Sequence, residues 1–296
     1  MSRVLVTGGN GFLGRRVGLA LLASGHSVRV FDRIAAAPDR QDPGQIEEVV
    51  GDITDAAAVA RAAEGCDALI HLAGLLTVAC RADPIASAAV NVLGGLHAFE
   101  AARQSGIDRI AYVSSAGVFG PEDGEVPRPV THYGAHKLAL EGIARAYHAD
   151  HAMGATGFRP YIVYGPGEGS GISAGPSSAC RAAVEGRPFR IGFTGTVGFV
   201  HVDDVARAFA EAIAQPRDRA GLYTLQGETA RIDTFIAELD RQQPGAVITA
   251  DGPPMPIAPQ LGGDPWPGWL SALPVTPLAE GIARTLAELR AGPSTP

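Results

Sequence analysis

Near its N-terminal end the chain reads Val4-Leu-Val-Thr-Gly-Gly-Asn-Gly-Phe-Leu-Gly14. Residues 3–6 form an apolar run long enough for a buried strand, and from Phe12 onward apolar residues recur at helical spacing. A strand, a glycine turn and a helix in this order are typical of a dinucleotide-binding site. The glycines let backbone N–H groups approach a pyrophosphate, and the N-terminus of the following helix attracts the same anion.

The glycine spacing predicts which residues hold the phosphates. Gly8, Gly11 and Gly14 fit the pattern, and Phe12 and Leu13 lie between the last two glycines, at the start of the predicted helix. Gly14 would also let the helix lie close to the strand. For this stretch taken alone, an ordinary tight strand-to-helix turn is the alternative.

The next predicted strand, residues 27–32, ends in an acidic residue. Asp32 lies about 20 residues past the glycines, where this arrangement places a carboxylate on the adenosine ribose. Such a carboxylate accepts hydrogen bonds from the ribose hydroxyls and repels a 2′-phosphate, so Asp32 predicts NAD rather than NADP as the cofactor. The neighbouring Arg33 is a second candidate contact, and an arginine there could instead hold that phosphate.

Predicted strands alternate with predicted helices through the first half of the chain. The strands fall near 3–6, 27–32, 45–50, 67–72, 109–114 and 156–163, with helices from 12, after 55, and over 84–105 and 133–151. This alternation indicates an α/β fold of Rossmann type, a doubly wound parallel sheet with helices on both faces. We expect residues 1–164 to form the NAD-binding domain. Residues 165–296 would form a smaller C-terminal α/β substrate-binding portion, some of whose strands could return to the main sheet.

Beyond residue 164 the composition shifts towards glycine and proline. Residues 165–176 are glycine-rich, and helices are predicted over 177–186, 203–214 and 277–290, with a strand near 189–191. Residues 252–276 carry both tryptophans, Trp266 and Trp269. We expect a loop there whose tryptophans pack on the smaller domain.

Composition and charge exclude several classes of function. The 296 residues carry a formal net charge of −7, which gives no basis for a nucleic-acid partner. Cys66, Cys80 and Cys180 lack the spacing of a metal site and are expected to be buried thiols in a reducing compartment. No apolar run reaches membrane-spanning length, and the first strand begins almost at once. We therefore expect a cytoplasmic protein without signal peptide, membrane partner or metal.

Tyr133 and Lys137 are spaced so that both lie on one face of a predicted helix. A phenol has a pKa of about 10 in water, and an ammonium one turn away is expected to lower it. Such a tyrosine could pass a proton to or from a substrate oxygen while a hydride moves to or from a nicotinamide. Ser115, at the end of the fifth predicted strand, could hydrogen-bond the same oxygen. Taken alone, the pair could also be an ordinary surface pair on a helix.

Together these motifs resemble the extended short-chain dehydrogenases/reductases, the NAD-dependent epimerase/dehydratase family, over nearly the whole chain. The resemblance rests on residues 7–14, Gly-Asp-Ile at 51–53, His-Leu-Ala-Gly at 71–74, Asn91, Ser-Ser-Ala-Gly-Val-Phe-Gly at 114–120, Tyr133-x-x-x-Lys137, residues 159–166 and His-Val-Asp-Asp at 201–204. Family members often dimerise through two long helices, here those starting near 84 and 133, so the resemblance implies a homodimer.

The resemblance also implies further contacts to the cofactor. These would be Asp52 and Ile53 at the adenine, Leu72, Ala73 and Gly74 at the pyrophosphate and ribose, Asn91 near the catalytic helix, and Tyr161 near the nicotinamide. The candidate contacts to the small-molecule substrate are Thr77, Ser115, Tyr133 and Arg181.

Three departures from the family pattern bear on the substrate. Many nucleotide-sugar members carry Arg-x-x-Asn, whose Asn contacts the nucleotide phosphates; this chain has Ile162 in that place. They also carry an Arg that pairs with a phosphate, where this chain has Val197 and Gly198. Dehydratase members follow the catalytic Ser or Thr with Asp-Glu, whereas Ser115 is followed by Ala and Gly.

We therefore predict an NAD-dependent dehydrogenase or reductase that acts on a secondary alcohol or carbonyl of a small substrate, such as a sugar, sugar acid, lactone or hydroxy acid. The alternative within the family is an NAD-dependent sugar or nucleotide-sugar epimerase. A non-catalytic protein that senses a dinucleotide is a third hypothesis, which the presence of both Tyr133 and Lys137 disfavours.

Overall fold

A computed structural model of the chain describes residues 2–36, 46–167, 171–215 and 219–292. Its centre is a sheet of seven parallel strands: β1 (Arg3–Thr7), β2 (Ser27–Asp32), β3 (Ile46–Val50), β4 (Ala68–His71), β5 (Ile110–Val113), β6 (Ala155–Pro160) and β10 (Ala220–Leu225). The strand order is β10-β6-β5-β4-β1-β2-β3. The predicted Rossmann-type parallel sheet is confirmed.

Helices cover both faces of the main sheet. They are α1 (Phe12–Ala23), α2 (Ala56–Ala63), α3 (Thr77–Ala82), α4 (Pro84–Ala88), α5 (Gly94–Gln104), α6 (His132–His151) and α8 (Val202–Ala212). Successive residues of a strand point to opposite faces. Val6 of β1 accordingly belongs to the apolar cluster shared with α1 and α8, whereas Leu5 belongs to the cluster shared with α2, α5 and α6. Because both faces are covered, the inner strands β1, β4 and β5 read as mainly apolar runs.

The rest of the chain builds a smaller unit. A three-stranded sheet contains β7 (Ile162–Tyr164), β9 (Thr196–His201) and β11 (Glu228–Arg231), and a second pair consists of β8 (Phe189–Ile191) and β12 (Ile248–Ala250). They pack with α7 (Gly175–Val184), α9 (Ile232–Gln242) and α11 (Leu278–Ala291) around a third apolar cluster. A short helix, α10 (Gly268–Ser271), precedes α11.

The single strand predicted over 156–163 is wrong, because the chain there forms two strands in different sheets. β6 ends at Pro160 and pairs with β10, whereas β7 pairs with β9. Proline has no N–H group to continue a ladder. The N–H of Tyr161 still bonds to the Leu225 carbonyl at 3.1 Å, and the chain then leaves the main sheet. The apolar run continues through the break, which is why the sequence suggested one strand.

The helix predicted over 84–105 contains a π-helical turn at Ala89–Leu93, between α4 and α5. This stretch, Pro84–Gln104, is the one helix in the described ranges that is long and apolar enough to cross a membrane by length and composition. Phe99 and Ala98 on it are fully buried against the main sheet. A helix buried in the core of a folded protein has the same apolar composition as a helix that spans a membrane.

The prediction that the two tryptophans pack on the smaller domain is wrong. Trp266 donates its indole N–H to the Thr224 carbonyl of β10 at 3.1 Å, and Trp269 lies edge-on to Phe158 and Tyr223. Both therefore cover the edge of the main sheet, because β10 lies at that edge. Proline and glycine content predicted a loop but gave no information about what the loop covers.

Three other predictions extend beyond the described residues. Residues 37–44 of the loop predicted after Asp32, Gln45 of the third strand, and residues 168–170 of the glycine-rich segment lie outside the described residues. The three cysteines are free and buried.

Candidate active site

The loop after β1 has a backbone shape that requires glycine. Gly8 has a φ of +71°, and a Cβ there would lie 2.7 Å from the Ala73 backbone nitrogen. A Cβ on Gly14 would lie 2.2 Å from the Gly8 carbonyl oxygen. Gly11 caps α1 without a side-chain hydrogen bond, so the first N–H groups of the helix remain available to an anion. This cradle fits the pyrophosphate of a dinucleotide.

The carboxylate of Asp32 lies at the end of β2 beside this loop. Its Oδ2 accepts the Asn10 N–H at 3.0 Å, and its Oδ1 accepts the Ile34 N–H at 3.1 Å. These bonds hold the carboxylate next to the glycine turn, as a ribose contact requires. Arg33 beside it is exposed.

The two residues expected at the adenine differ in how they are engaged. The carboxylate of Asp52 accepts both the N–H and the hydroxyl of Thr54, each at 2.8 Å, and these bonds lower its pKa. Ile53 is buried and its carbonyl is hydrogen-bonded to the His97 ring at 2.9 Å. The Asp52 carboxylate is therefore used within the turn at Thr54. Of the two residues, Ile53 has the apolar side chain.

Three predicted catalytic residues come together where β5 meets α6. Ser115 and Tyr133 both lie against Gly117: a Cβ there would lie 3.2 Å from Ser115 Oγ and 3.6 Å from the Tyr133 ring. Ser115 Oγ accepts the Gly117 N–H at 3.0 Å. Lys137 donates from Nζ to the Val113 carbonyl at 2.8 Å, and its Nζ lies 5.8 Å from the centroid of the Tyr133 ring. The structure therefore brings the three side chains to one place.

Burial governs the protonation of this group. Desolvation raises the pKa of Tyr133 to about 12, against the smaller lowering effect of the neighbouring Ser115. Desolvation likewise lowers the pKa of Lys137 to about 8. The prediction that Lys137 lowers the pKa of the phenol is wrong for this structure, because loss of water disfavours the charged form of both groups.

A buried ion pair that the sequence did not suggest lies next to the predicted catalytic residues. Glu141, one turn beyond Lys137 on α6, accepts Arg159 Nε at 2.7 Å and Nη2 at 2.6 Å, and the Ser114 hydroxyl at 2.5 Å. Glu141 is fully buried and Arg159 is 6% exposed. The pair joins α6 to β5 and β6. Its signal in the sequence is the i, i+4, i+8 spacing of Tyr133, Lys137 and Glu141.

Asn91 lies on the π-helical turn and fixes the loop after β4. Its Oδ1 accepts the Leu75 N–H at 2.7 Å, and its Nδ2 donates to the Leu75 carbonyl at 2.9 Å. It is buried, and its Nδ2 lies 3.5 Å from a ring nitrogen of His136 on α6. Asn91 therefore lies close to α6, and its amide is bonded to the backbone. Its contact to the cofactor stays a prediction.

A cavity of about 450 Å³ joins the glycine loop to the predicted catalytic residues. The predicted residues that line it are Gly8, Gly11, Phe12, Leu13, Gly14, Leu72, Gly74, Thr77, Ser115, Tyr133, Lys137 and Tyr161. The predicted residues that do not line it are Asp32, Arg33, Asp52, Ile53, Ala73, Asn91 and Arg181. Arg181 instead donates to the Gly167 carbonyl at 3.3 Å, so the structure does not bring it to the substrate side.

Residues 255–257 line the far side of the cavity, although the sequence suggested no binding role for this segment. The Tyr161 hydroxyl donates to the Ile257 and Ala258 carbonyls, at 3.1 and 3.0 Å, and holds the segment in place. The contact joins residues almost a hundred positions apart, which no spacing rule predicts. Within the described ranges, no three His, Cys, Asp or Glu side chains cluster as metal ligands.

Comparison with known proteins agrees with this geometry. The sequence model of the NAD dependent epimerase/dehydratase family matches residues 4–224. The UDP-glucose 4-epimerase of Mycolicibacterium smegmatis is 31% identical over 312 aligned residues, which cover 96% of this chain and 97% of that protein. The 3-beta-hydroxysteroid dehydrogenase of Mycolicibacterium neoaurum is 33% identical over 182 residues, 57% of this chain and 49% of that protein.

A solved structure is similar to this chain over nearly its whole length. The UDP-glucose 4-epimerase of Thermus thermophilus, in complex with NAD, superposes with a TM-score of 0.84 at 28% identity. The superposition covers 98% of this chain and 99% of the other.

Proposed function

The chain belongs to the NAD-dependent epimerase/dehydratase family, and from that premise we propose that it is an NAD-dependent dehydrogenase or reductase. Its substrate would be a small molecule with a secondary alcohol or carbonyl. The observation that carries the proposal is that Ser115, Tyr133 and Lys137 lie together in the lining of the cavity that also contains the glycine loop. Bound NAD supplies the hydride acceptor or donor for such a reaction.

Each residue has a defined task in this proposal. The loop of Gly8, Gly11 and Gly14 receives the pyrophosphate, and Asp32 receives the adenosine ribose. Tyr133 gives or takes the proton at the substrate oxygen. Ser115 holds that oxygen in position. Lys137 binds the nicotinamide ribose, and its bond to Val113 fixes the ammonium near the phenol.

The lining of the cavity favours net oxidation or reduction over work on a nucleotide sugar. A UDP-sugar carries a diphosphate whose burial requires charged or hydrogen-bonding partners. Ile162, which stands where many nucleotide-sugar members have an Asn, is buried and lines the cavity. Val197, at the other departure, is fully buried in the third apolar cluster.

Epimerisation of a sugar or nucleotide sugar is the second candidate. It is supported by the similarity to UDP-glucose 4-epimerases over nearly the full length of the chain. Such an enzyme would oxidise and re-reduce the same carbon and would consume no added NAD.

A substrate panel tests the proposal. Secondary alcohols, sugars, sugar acids, lactones and hydroxy acids are incubated with NAD or NADH, and the nicotinamide absorbance is followed. We expect net turnover with at least one class. UDP- and dTDP-sugars should bind poorly in calorimetry. NAD retained through purification, tight UDP-sugar binding and product epimers without net NADH formation would instead establish the epimerase.

Cofactor preference gives a separate prediction. A 2′-phosphate placed near the Asp32 carboxylate would bring two like charges together, which costs enough to favour NAD over NADP by at least about ten-fold in affinity. Replacing Asp32 with Ser should reduce that ratio, whereas replacing the exposed Arg33 with Ala should leave it unchanged. Titration of the protein with both cofactors measures it. Tighter binding of NADP by the wild-type protein would show that Arg33 governs the site.

We also propose a cytoplasmic homodimer. Ile85 and Leu93 on the helix stretch Pro84–Gln104 are 85% and 51% exposed, and burial in a partner's matching helix would cover them. Sedimentation of the wild-type protein measures the mass of the assembly.

A further inference from the structure

The substrate side of the cavity is lined mainly by apolar side chains. They are Leu76, Tyr161, Ile162, Ile172, Met255 and Ile257. Among the lining residues that the structure describes, Lys137 alone is charged, and its ammonium is bonded to the Val113 carbonyl. A charged substrate group would therefore lose its water without gaining an ionic partner there, which is costly.

Several hydroxyl groups of the lining already serve the backbone. Thr131 Oγ1 accepts the Gly134 N–H at 3.0 Å as the cap of α6, and Ser177 Oγ accepts the Gly165 N–H at 3.1 Å. The Ser115–Tyr133 pair is the polar contact suited to one substrate oxygen. Thr77 and Ser173 add two more hydroxyl groups to the lining, and neither residue is charged. The site therefore offers uncharged hydroxyl groups beside apolar walls, the pattern of a pocket for an uncharged and largely apolar ligand.

The rim of the cavity is apolar as well. Leu76, Val130 and Ile172 line it and are 37%, 61% and 46% exposed. Large apolar side chains grouped at an exposed mouth are unfavourable in water and typical of a binding surface. An apolar body seated on the inner walls could continue outward over these three side chains.

We propose that the substrate is an uncharged secondary alcohol or ketone on a hydrocarbon skeleton, rather than a sugar, a sugar acid or a nucleotide sugar. Its oxygen lies at Tyr133 and Ser115, and its apolar body runs along Met255 and Ile257 towards the mouth at Val130. This inference rests on the proposed function, because that function places the reacting oxygen at Tyr133.

Binding measured on a variant that cannot catalyse the reaction separates the substrate proposal from the proposed function. The Tyr133→Phe variant, saturated with NAD, is titrated calorimetrically with 2-butanol, 2-hexanol and 2-octanol, and with sugars, sugar acids and UDP-glucose. Each added methylene that becomes buried should tighten binding about four-fold. The missing phenol hydroxyl affects every alcohol equally, so the dependence on chain length survives it.

Two variants and a matched control locate the apolar path. Val130→Ser and Met255→Ser should each reduce the increase in binding affinity per added methylene, because each replaces an apolar side chain of the wall with a hydroxyl. Val126→Ser is the control: Val126 is 48% exposed in the same segment between β5 and α6 and does not line the cavity. It should leave the gain unchanged.

The outcomes distinguish the inference from the proposed function. An affinity independent of chain length, or tighter binding of a sugar acid or UDP-glucose than of 2-octanol, would overturn the apolar substrate. If Val130→Ser and Met255→Ser behave like Val126→Ser, the path is overturned. If the alcohols bind with the expected gain but wild-type enzyme oxidises none of them and reduces no matching ketone, the proposed function fails while the binding inference stands.

Discussion

Replacing Tyr133 with Phe should lower turnover by roughly 10²–10⁴-fold, the effect of removing a positioned acid/base. The substitution deletes one hydroxyl and keeps the ring, so fold and NAD affinity should persist. Thermal unfolding and NAD titration check those two properties, and turnover is measured on whichever substrate the panel identifies. Wild-type turnover in this variant would refute the assignment, and His132 would then be the nearest candidate.

The pH dependence provides an independent check on the same residue. Because the pKa of Tyr133 is raised to about 12, the phenol is protonated at neutral pH. Alcohol oxidation needs the phenolate, so its rate should rise by about ten-fold per pH unit below that pKa. Ketone reduction uses the protonated phenol and should lack this rise. The slope should disappear in Tyr133→Phe.

Substitutions at Ser115 and Lys137 should affect the reaction rate and the affinity for NAD differently. Ser115→Ala should lower the rate with little loss of NAD affinity, because its partner is the substrate oxygen. Lys137→Ala should damage both, since the same ammonium lies near the phenol and would hold the nicotinamide ribose. Equal loss of NAD affinity in the two variants would contradict these roles.

Replacing Glu141 with Ala should destabilise the protein by about 3–5 kcal/mol, because it leaves the Arg159 guanidinium buried without its partner. Arg159 also lies 4.9 Å from the Phe119 ring centroid, which cannot replace a carboxylate. Denaturant unfolding measures the loss. Activity should fall with it, since Glu141 also holds Ser114, the residue before Ser115.

An exposed pair supplies the matched control. Glu280 and Arg284 are paired one turn apart on α11, with side chains 50% and 47% exposed, so Glu280→Ala should cost no more than about 1 kcal/mol. The double variant Glu141→Leu, Arg159→Leu should lose less stability than the sum of the losses in Glu141→Leu and Arg159→Leu measured singly. Additive losses would show that the buried pair is not coupled.

The parts of the fold that sequence predicts well are those set by local patterns. The glycine turn, Asp32 at the end of β2 and the Tyr133–Lys137 spacing each follow from a short stretch, and the structure places all of them around one cleft or its edge. Helix starts also follow local patterns where a capping residue is present, as at Asp55, which accepts the Ala57 and Ala58 N–H groups.

The parts that sequence missed depend on contacts between distant residues. β10 is a short strand that joins the main sheet only because β6 offers it an open edge. Met255 and Ile257 reach the cavity because Tyr161 holds their segment. The pKa of Tyr133 was predicted in the wrong direction because the i, i+4 spacing shows the neighbouring ammonium but not the loss of water.

The pairing of β10 with β6 also constrains how the chain reaches its native state. While the protein is being synthesised, β6 presents an unpaired edge until residues near 225 have left the ribosome, and such edges readily pair with other chains. Helix α8, which packs on α1, also lies beyond residue 164. Contacts between segments far apart in sequence form slowly. The nucleotide-binding half therefore cannot complete its sheet alone, and a chain ending at residue 164 would be prone to aggregate.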